Sequence, residues 1–317
     1  MNLTAARLTL RLTRFELLAF GGFILAFIVL TVLAAARIDS LRPPPECLSV
    51  LQDASRPVSC EVLGQAWYDA QNGLSGLSVG LLLFLSFAAG LFLGVPIVAR
   101  EVERGTSRLA WSLAPSRMRW FLARMLPILV AVAVLTFVAG IAVDRYVGAV
   151  SPNDDLANSF TSFGFRGLLV ASRAVFIFAV GVAVGAIIAR ALPAVILTAV
   201  IASIGLAGGE RVHQMILASE AVAIPMDQND NGGVGRTGDL FIDQRFVLPD
   251  GSLVGWQYFN GEDPYDQFGN PKYPMVAIVV PGDRFRFVET REALALAGGS
   301  LVALVLAGFV VSRRRPG

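Results

Sequence analysis

The sequence predicts an all-α integral membrane protein of six transmembrane helices. Both termini fall on the cytoplasmic side, and a mixed α/β extracytoplasmic insertion lies between helices five and six. Three observations carry that fold class. The chain is 55% hydrophobic and 16% charged, with a mean hydropathy of +0.64, against about 45–50% apolar and about 25% charged for soluble domains. Six stretches approach the ~20 apolar residues that a ~30 Å hydrocarbon layer requires at ~1.5 Å per residue. Basic residues are dense in the short segments between these stretches and sparse in the long ones.

The stretches are Phe15–Ala36, Leu77–Ala99, Phe121–Val143, Gly167–Ala189, Ala191–Gly208 and Ala293–Val311. The first ends in Ala34-Ala35-Ala36, which resembles a cleavage site. Its apolar run is longer than the ~7–15 residues of a signal core, so it reads as an uncleaved helix. Arg7, Arg11 and Arg14 precede it on one helical face. The fourth and fifth stretches meet at Arg190–Pro193, where proline is expected to break the helix. Gly76/Gly80, Gly90/Gly94 and Gly181/Gly185 have the small-xxx-small spacing of closely packed membrane helices.

Orientation follows from arginine density. With the N-terminus inside, the inner side holds Arg7, Arg11, Arg14, the group from Arg100 to Arg124, Arg190 and Arg313–Arg315, all in short segments. The outer basic residues are spread over three much longer loops. No span carries an ionisable residue near its centre, which argues against a proton- or ion-coupled carrier. Arg173, a turn or two inside the fourth span, is expected to snorkel outward.

The outer segments carry their own signals. Cys47 and Cys60 share the loop Arg37–Gly76, and an even count in an oxidising exterior favours a disulfide over two free thiols. Residues 209–291 form a cap insertion. It begins as a helix at Glu210–Glu220 and includes a hairpin of Asp239–Leu248 and Ser252–Phe259 around Pro249-Asp250-Gly251. Met275–Val280 is a further strand. Asp227, Asn229 and Asn231 open like a calcium loop, but Gly238 stands where a bidentate glutamate is needed. No metal is assigned. The domain plan is therefore 1–208 for helices one to five, 209–291 for the cap, and 292–317 for helix six and a basic tail.

Several function classes are excluded. The only lysine, Lys272, lies in Asn-Pro-Lys-Tyr and not in a phosphate loop. His213 is the only histidine, which leaves no zinc pair and no credible catalytic triad. The chain is thus read as a non-enzyme with no cofactor of its own. No basic tract interleaved with aromatics points to nucleic acid.

The loop 100–124, REVERGTSRLAWSLAPSRMRWFLAR, carries the functional signal with six arginines and two glutamates. Gly105 can cap the extension of the second span, and Ser116 can cap the helix leading into the third. Between these breaks a short helix would present Trp111 and Leu113, with Arg104, Arg108 and Arg117 around them. A docking element for a cytosolic partner explains this combination better than positive-inside topology alone.

Glu101-Val-Glu103-Arg-Gly105-Thr106, Leu109-Ala-Trp111-Ser and Ser116-Arg117-x-Arg119-Trp120 resemble the cytoplasmic signature of ATP-binding-cassette permeases of the type-2, export-like class, as found in actinobacteria. The stretch from Gly164 to Gly185 is similar to that family's fourth span, and Pro281-x-x-Arg284-Phe285-x-Phe287 to the lead into its last. The chain departs from the pattern at Glu289, where the family often has Gln, and in its cysteine-bearing loop. The resemblance implies a multi-pass permease subunit in a bacterial plasma membrane, paired with itself or a sister subunit. A separate ATPase would bind the ATP and drive export. Glu101, Glu103, Arg104, Gly105, Thr106, Arg108 and Trp111 would form the coupling contact. The alternative is a membrane-anchored sensor or interaction protein acting through its extracytoplasmic domain.

Overall fold

The computed structural model describes residues 14–48, 57–106, 116–226, 238–259, 264–266 and 271–314. Among them, six helices are long and apolar enough to cross a membrane by length and composition. The helices are α1 (Arg14–Ser40), α2 (Pro45–Leu48), α3 (Val58–Ala88), α4 (Pro96–Glu103), α5 (Arg117–Val150), α6 (Gly167–Ile188), α7 (Ala191–Glu220) and α8 (Phe285–Arg313). A π-helical stretch, Ala89–Gly94, joins α3 to α4, and the second span runs through it over Phe84–Glu103. The remaining spans are α1, α5, α6, α7 and Gly282–Arg313.

Helical structure extends beyond the apolar stretches in two places. Between the first and second spans the described residues are largely helical, because α3 starts at Val58 directly after Pro57. Hydropathy marks only where a helix enters lipid, and backbone hydrogen bonding continues past that point. The expected helix Glu210–Glu220 is the continuation of α7. At the junction of the fourth and fifth spans the break is made by Ala189, with φ of 59°. Pro193 sits in the first turn of α7, where no intrahelical N–H is required.

The second and fourth spans pack most closely. An added Cβ on Gly90 or Gly94 would stand 2.6 Å from the carbonyl of Ile177 or Phe178. One on Gly181 or Gly185 would stand 2.5 or 2.6 Å from the carbonyl of Gly90 or Val95. The two glycine pairs thus form one internal seam, which lets the backbones approach and gain the van der Waals contact that drives helix association in lipid. Val95, Ala99, Val180, Val184 and Ala194 are buried together beside it. Cys47 and Cys60 form a disulfide with Cα atoms 5.2 Å apart, tying α2 to the first turn of α3.

By contact density the chain divides into two units. One comprises 1–152, 164–206 and 289–317, and holds most of the membrane-length helices. The other, 153–163 with 207–288, holds a four-stranded antiparallel sheet ordered β1-β4-β2-β3. Its strands are β1 (Val222–Pro225), β2 (Leu240–Val247), β3 (Leu253–Val254) and β4 (Met275–Val280). Strands β2 and β4 stand where the alternation placed them and β1 is an addition, but the second hairpin strand expected over Ser252–Phe259 shrinks to Leu253–Val254, with Trp256–Phe259 wound into a 3-10 turn. In the hairpin turn, the hydroxyl and amide of Ser252 donate to Asp250, which holds its carboxyl below the usual range. Phe160, Leu217, Val280, Phe285 and Val288 make this unit's core. The segment 153–163 joins it through the Phe160 amide, which donates to the Gly238 carbonyl at 2.8 Å.

Candidate coupling site

Helix ends and charged side chains converge at one end of the bundle. Arg100 Nη1 meets Glu16 Oε1 at 2.5 Å. Arg124 Nη1 lies 2.7 Å from Glu101 Oε1 and stacks over the Trp120 ring at 5.1 Å. Thr106 Oγ1 donates to Glu101 Oε2 at 2.7 Å and to the Glu101 carbonyl at 3.2 Å. The Ala191 amide, at the start of α7, donates to Glu103 Oε2 at 3.0 Å. Arg117 donates to the carbonyls of Ser312 and Arg314, and Arg314 Nη1 to that of Ala186 at 2.7 Å. The starts of the first, third and fifth spans thus meet the ends of the second, fourth and sixth, as six alternating crossings require.

Local sequence explains each placement. Gly105 takes φ of 71°, a region that favours glycine, and its amide donates to the Val102 carbonyl to close α4. Ser116 Oγ accepts from the Arg119 amide and caps α5. Glu103 puts a carboxylate at the amino end of α7, where unpaired amides and the helix dipole favour negative charge. A concavity of about 160 Å³ opens between these elements, lined by Glu16, Arg100, Glu101, Arg104 and Arg124 with apolar residues such as Phe92.

The predicted residues divide into three groups. Glu101, Glu103 and Thr106 are engaged within the chain, setting the geometry of the turn. Arg104 and Gly105 are exposed. Arg108, Trp111 and the short helix expected between the breaks lie outside the described residues. Sequence reasoning overlooked Glu16 and the pairing role of Arg124. Glu16 is the first acidic residue after the N-terminal arginines, beside a span that ends at Arg100. That opposite charge at matching ends was the signal for the pair.

A second charged cluster lies at the far end of α5. Arg166, only 3% exposed, is 3.8 Å from Asp144. The Leu168 amide donates to Glu289 Oε1 at 3.2 Å, with Glu289 5% exposed. Gly167 has φ of 61°, and a Cβ there would stand 2.6 Å from that same Oε1. Arg173 does not snorkel alone: its Nη2 meets Glu292 Oε1 at 2.9 Å and its Nη1 donates to the Gly164 carbonyl. An acceptor about two turns into α8 makes pairing the better outcome than reaching for water. Among the described residues, no group of three or more His, Cys, Asp or Glu could hold a metal ion.

Residues 21–208 match the protein family described as ABC-2 membrane transporter related. The chain belongs to that family. The match runs from within α1 to within α7 and takes in the whole Arg100–Arg124 segment, so Glu101, Glu103, Thr106 and Arg124 lie inside the family's shared region while Glu16 and Arg314 lie outside it. No curated protein and no solved structure is similar enough to the chain to match it. Family and helices together make this a multi-pass membrane protein related to transporter membrane subunits.

Proposed function

We propose that the chain is the membrane-spanning permease subunit of an ATP-driven exporter, coupled to a separate ATPase through the segment between its second and third spans. The observation that carries this reading is the family match across five of the spans and the loop between the second and third. The geometry is consistent with it. Arg104 and Gly105 stand exposed on a turn whose base is braced by Glu101, Arg124 and Thr106, so a force applied there would act on the second and third spans together. The Glu103 contact to the Ala191 amide would extend that force to the fifth span. With no phosphate loop in the chain, ATP binding belongs to the partner.

In this reading both termini and the Arg100–Arg124 segment are cytoplasmic, and residues 209–291 lie outside. The working unit is a pair of permease subunits, identical or sister, above two ATPase subunits. Closure of the ATPases biases the pair between inward- and outward-open states. Affinity purification of the tagged chain from its native membrane, followed by mass spectrometry, tests this. The wild-type chain should bring down an ATPase subunit. Arg104→Glu with Trp111→Ala should cut its yield about tenfold, a loss of about 1.4 kcal/mol of binding, while membrane insertion is unchanged. Recovery of the ATPase at full yield from the double variant would overturn the assignment.

A further inference from the structure

The sheet unit carries a concavity of about 590 Å³, within the ~300–1,000 Å³ usual for small-molecule sites. It runs along β2 from Phe241 to Phe246 and is closed on the other side by Gly255, Trp256, Gln257 and Tyr265. The Trp256 ring is 57% exposed and stands 5.7 Å from that of Tyr265, tilted by 34°. Beneath them the buried Phe246 packs against both rings and supports the platform from below. Gly255 leaves open space where a side chain would project.

The polar lining narrows the ligand. Asp243 Oδ2 and Arg245 Nε pair at 3.1 Å, so the wall is nearly neutral and favours neither a cation nor an anion. A wholly apolar ligand would strip water from Asp243, Arg245 and Gln257 and return no hydrogen bond, at a cost of several kcal/mol. An added β-strand is also disfavoured. Only Phe246 and Val247 of β2 pair with β3, but the Gln244 amide is already taken by Asp243 Oδ1 at 2.8 Å. What remains is a neutral molecule with one apolar face and a rim of hydroxyls. The apolar face would stack on an indole, and the rim would meet planar carboxylate, guanidinium and amide groups.

From this we infer that the concavity is a carbohydrate-binding site, in which a pyranose ring stacks on Trp256 and its hydroxyls bond to Asp243, Arg245 and Gln257. The site belongs to the sheet unit alone and does not depend on the transport reading.

The test uses the full chain in lipid nanodiscs free of glycoside detergent, which would itself compete. Cellobiose, maltotriose, mannobiose and chitobiose are titrated while tryptophan emission and saturation-transfer NMR are followed. At least one should bind with a ring face in contact with indole protons. Trp256→Ala should weaken it at least about tenfold, and Trp256→Phe should retain most of the affinity. Gly255→Leu fills the open space while keeping both platform rings, and should abolish binding while the sheet stays folded. The proposal is overturned if none of the four binds below ~10 mM, or if both the Trp256→Ala and Gly255→Leu variants bind as wild type.

Discussion

The two charged ends of α5 make a useful contrast. At the Arg100 end one pair is partly open to solvent, with side-chain exposures of 44% and 21% for Arg100 and Glu16, while Arg124 and Glu101 behind it are 19% and 25% exposed. About 30 Å along the same helix, at ~1.5 Å per residue, the other cluster is largely closed. Arg166 and Glu289 are nearly inaccessible, Arg173 and Glu292 are 17% and 18% exposed, and only Asp144 of these five, at 37%, reaches well into solvent. Solvated pairs steer and position at little energetic consequence either way. Enclosed pairs are costly to break, because a lost partner leaves a charge with neither water nor counter-ion. One end therefore suits a docking surface, and the other suits a clamp that fixes the third, fourth and sixth spans together.

This contrast can be broken at several points. The largest effect is expected from Arg166→Met, which removes a buried charged donor; because Asp144 is 37% exposed and keeps water, the loss should be about 2–3 kcal/mol. Thermal unfolding in detergent would show it as a clear fall in Tm, and an unchanged Tm would mean that the enclosed cluster is not a clamp. A double-mutant cycle on Arg173→Met and Glu292→Gln should give a coupling of about 2 kcal/mol, near the upper part of the range for contacting residues. The same cycle on the more open pair, Arg100→Met and Glu16→Gln, should give less than about 1 kcal/mol. If the two couplings were equal, burial would not be what separates the ends.

Much of the fold was legible because lipid imposes few solutions. A run of ~20 apolar residues has to be a helix, so all six spans could be named from hydropathy. The seam of glycines was visible as spacing, although spacing alone does not say which partner faces which. The helical start of α3 was not visible, since its residues are polar and hydropathy is silent there, and the helix at Glu210–Glu220 was read without its continuity with the fifth span. At the charged end, Gly105 and Ser116 could be read because capping is a local property of one or two residues. The pairing of Glu16 with Arg100, or of Glu289 with the Leu168 amide, joins positions far apart in sequence. Such pairs emerge only once helices are placed side by side.

The π-helical stretch Ala89–Gly94 has a consequence for what the second span presents at its end. Each residue of an ordinary helix advances the azimuth by about 100°, and a π turn slips that phase relative to the regular 3.6-residue wheel. Everything downstream, from Pro96 to Glu103, is set by that slip. If one residue were lost from the stretch and the regular turn restored, the apolar seam could still be rebuilt, because glycine and alanine are forgiving neighbours. The carboxylates of Glu101 and Glu103, however, would swing away from Arg124 and the Ala191 amide. The stretch thus works as a phase adjuster, letting a single helix serve a glycine seam along one face and an ionic brace along another.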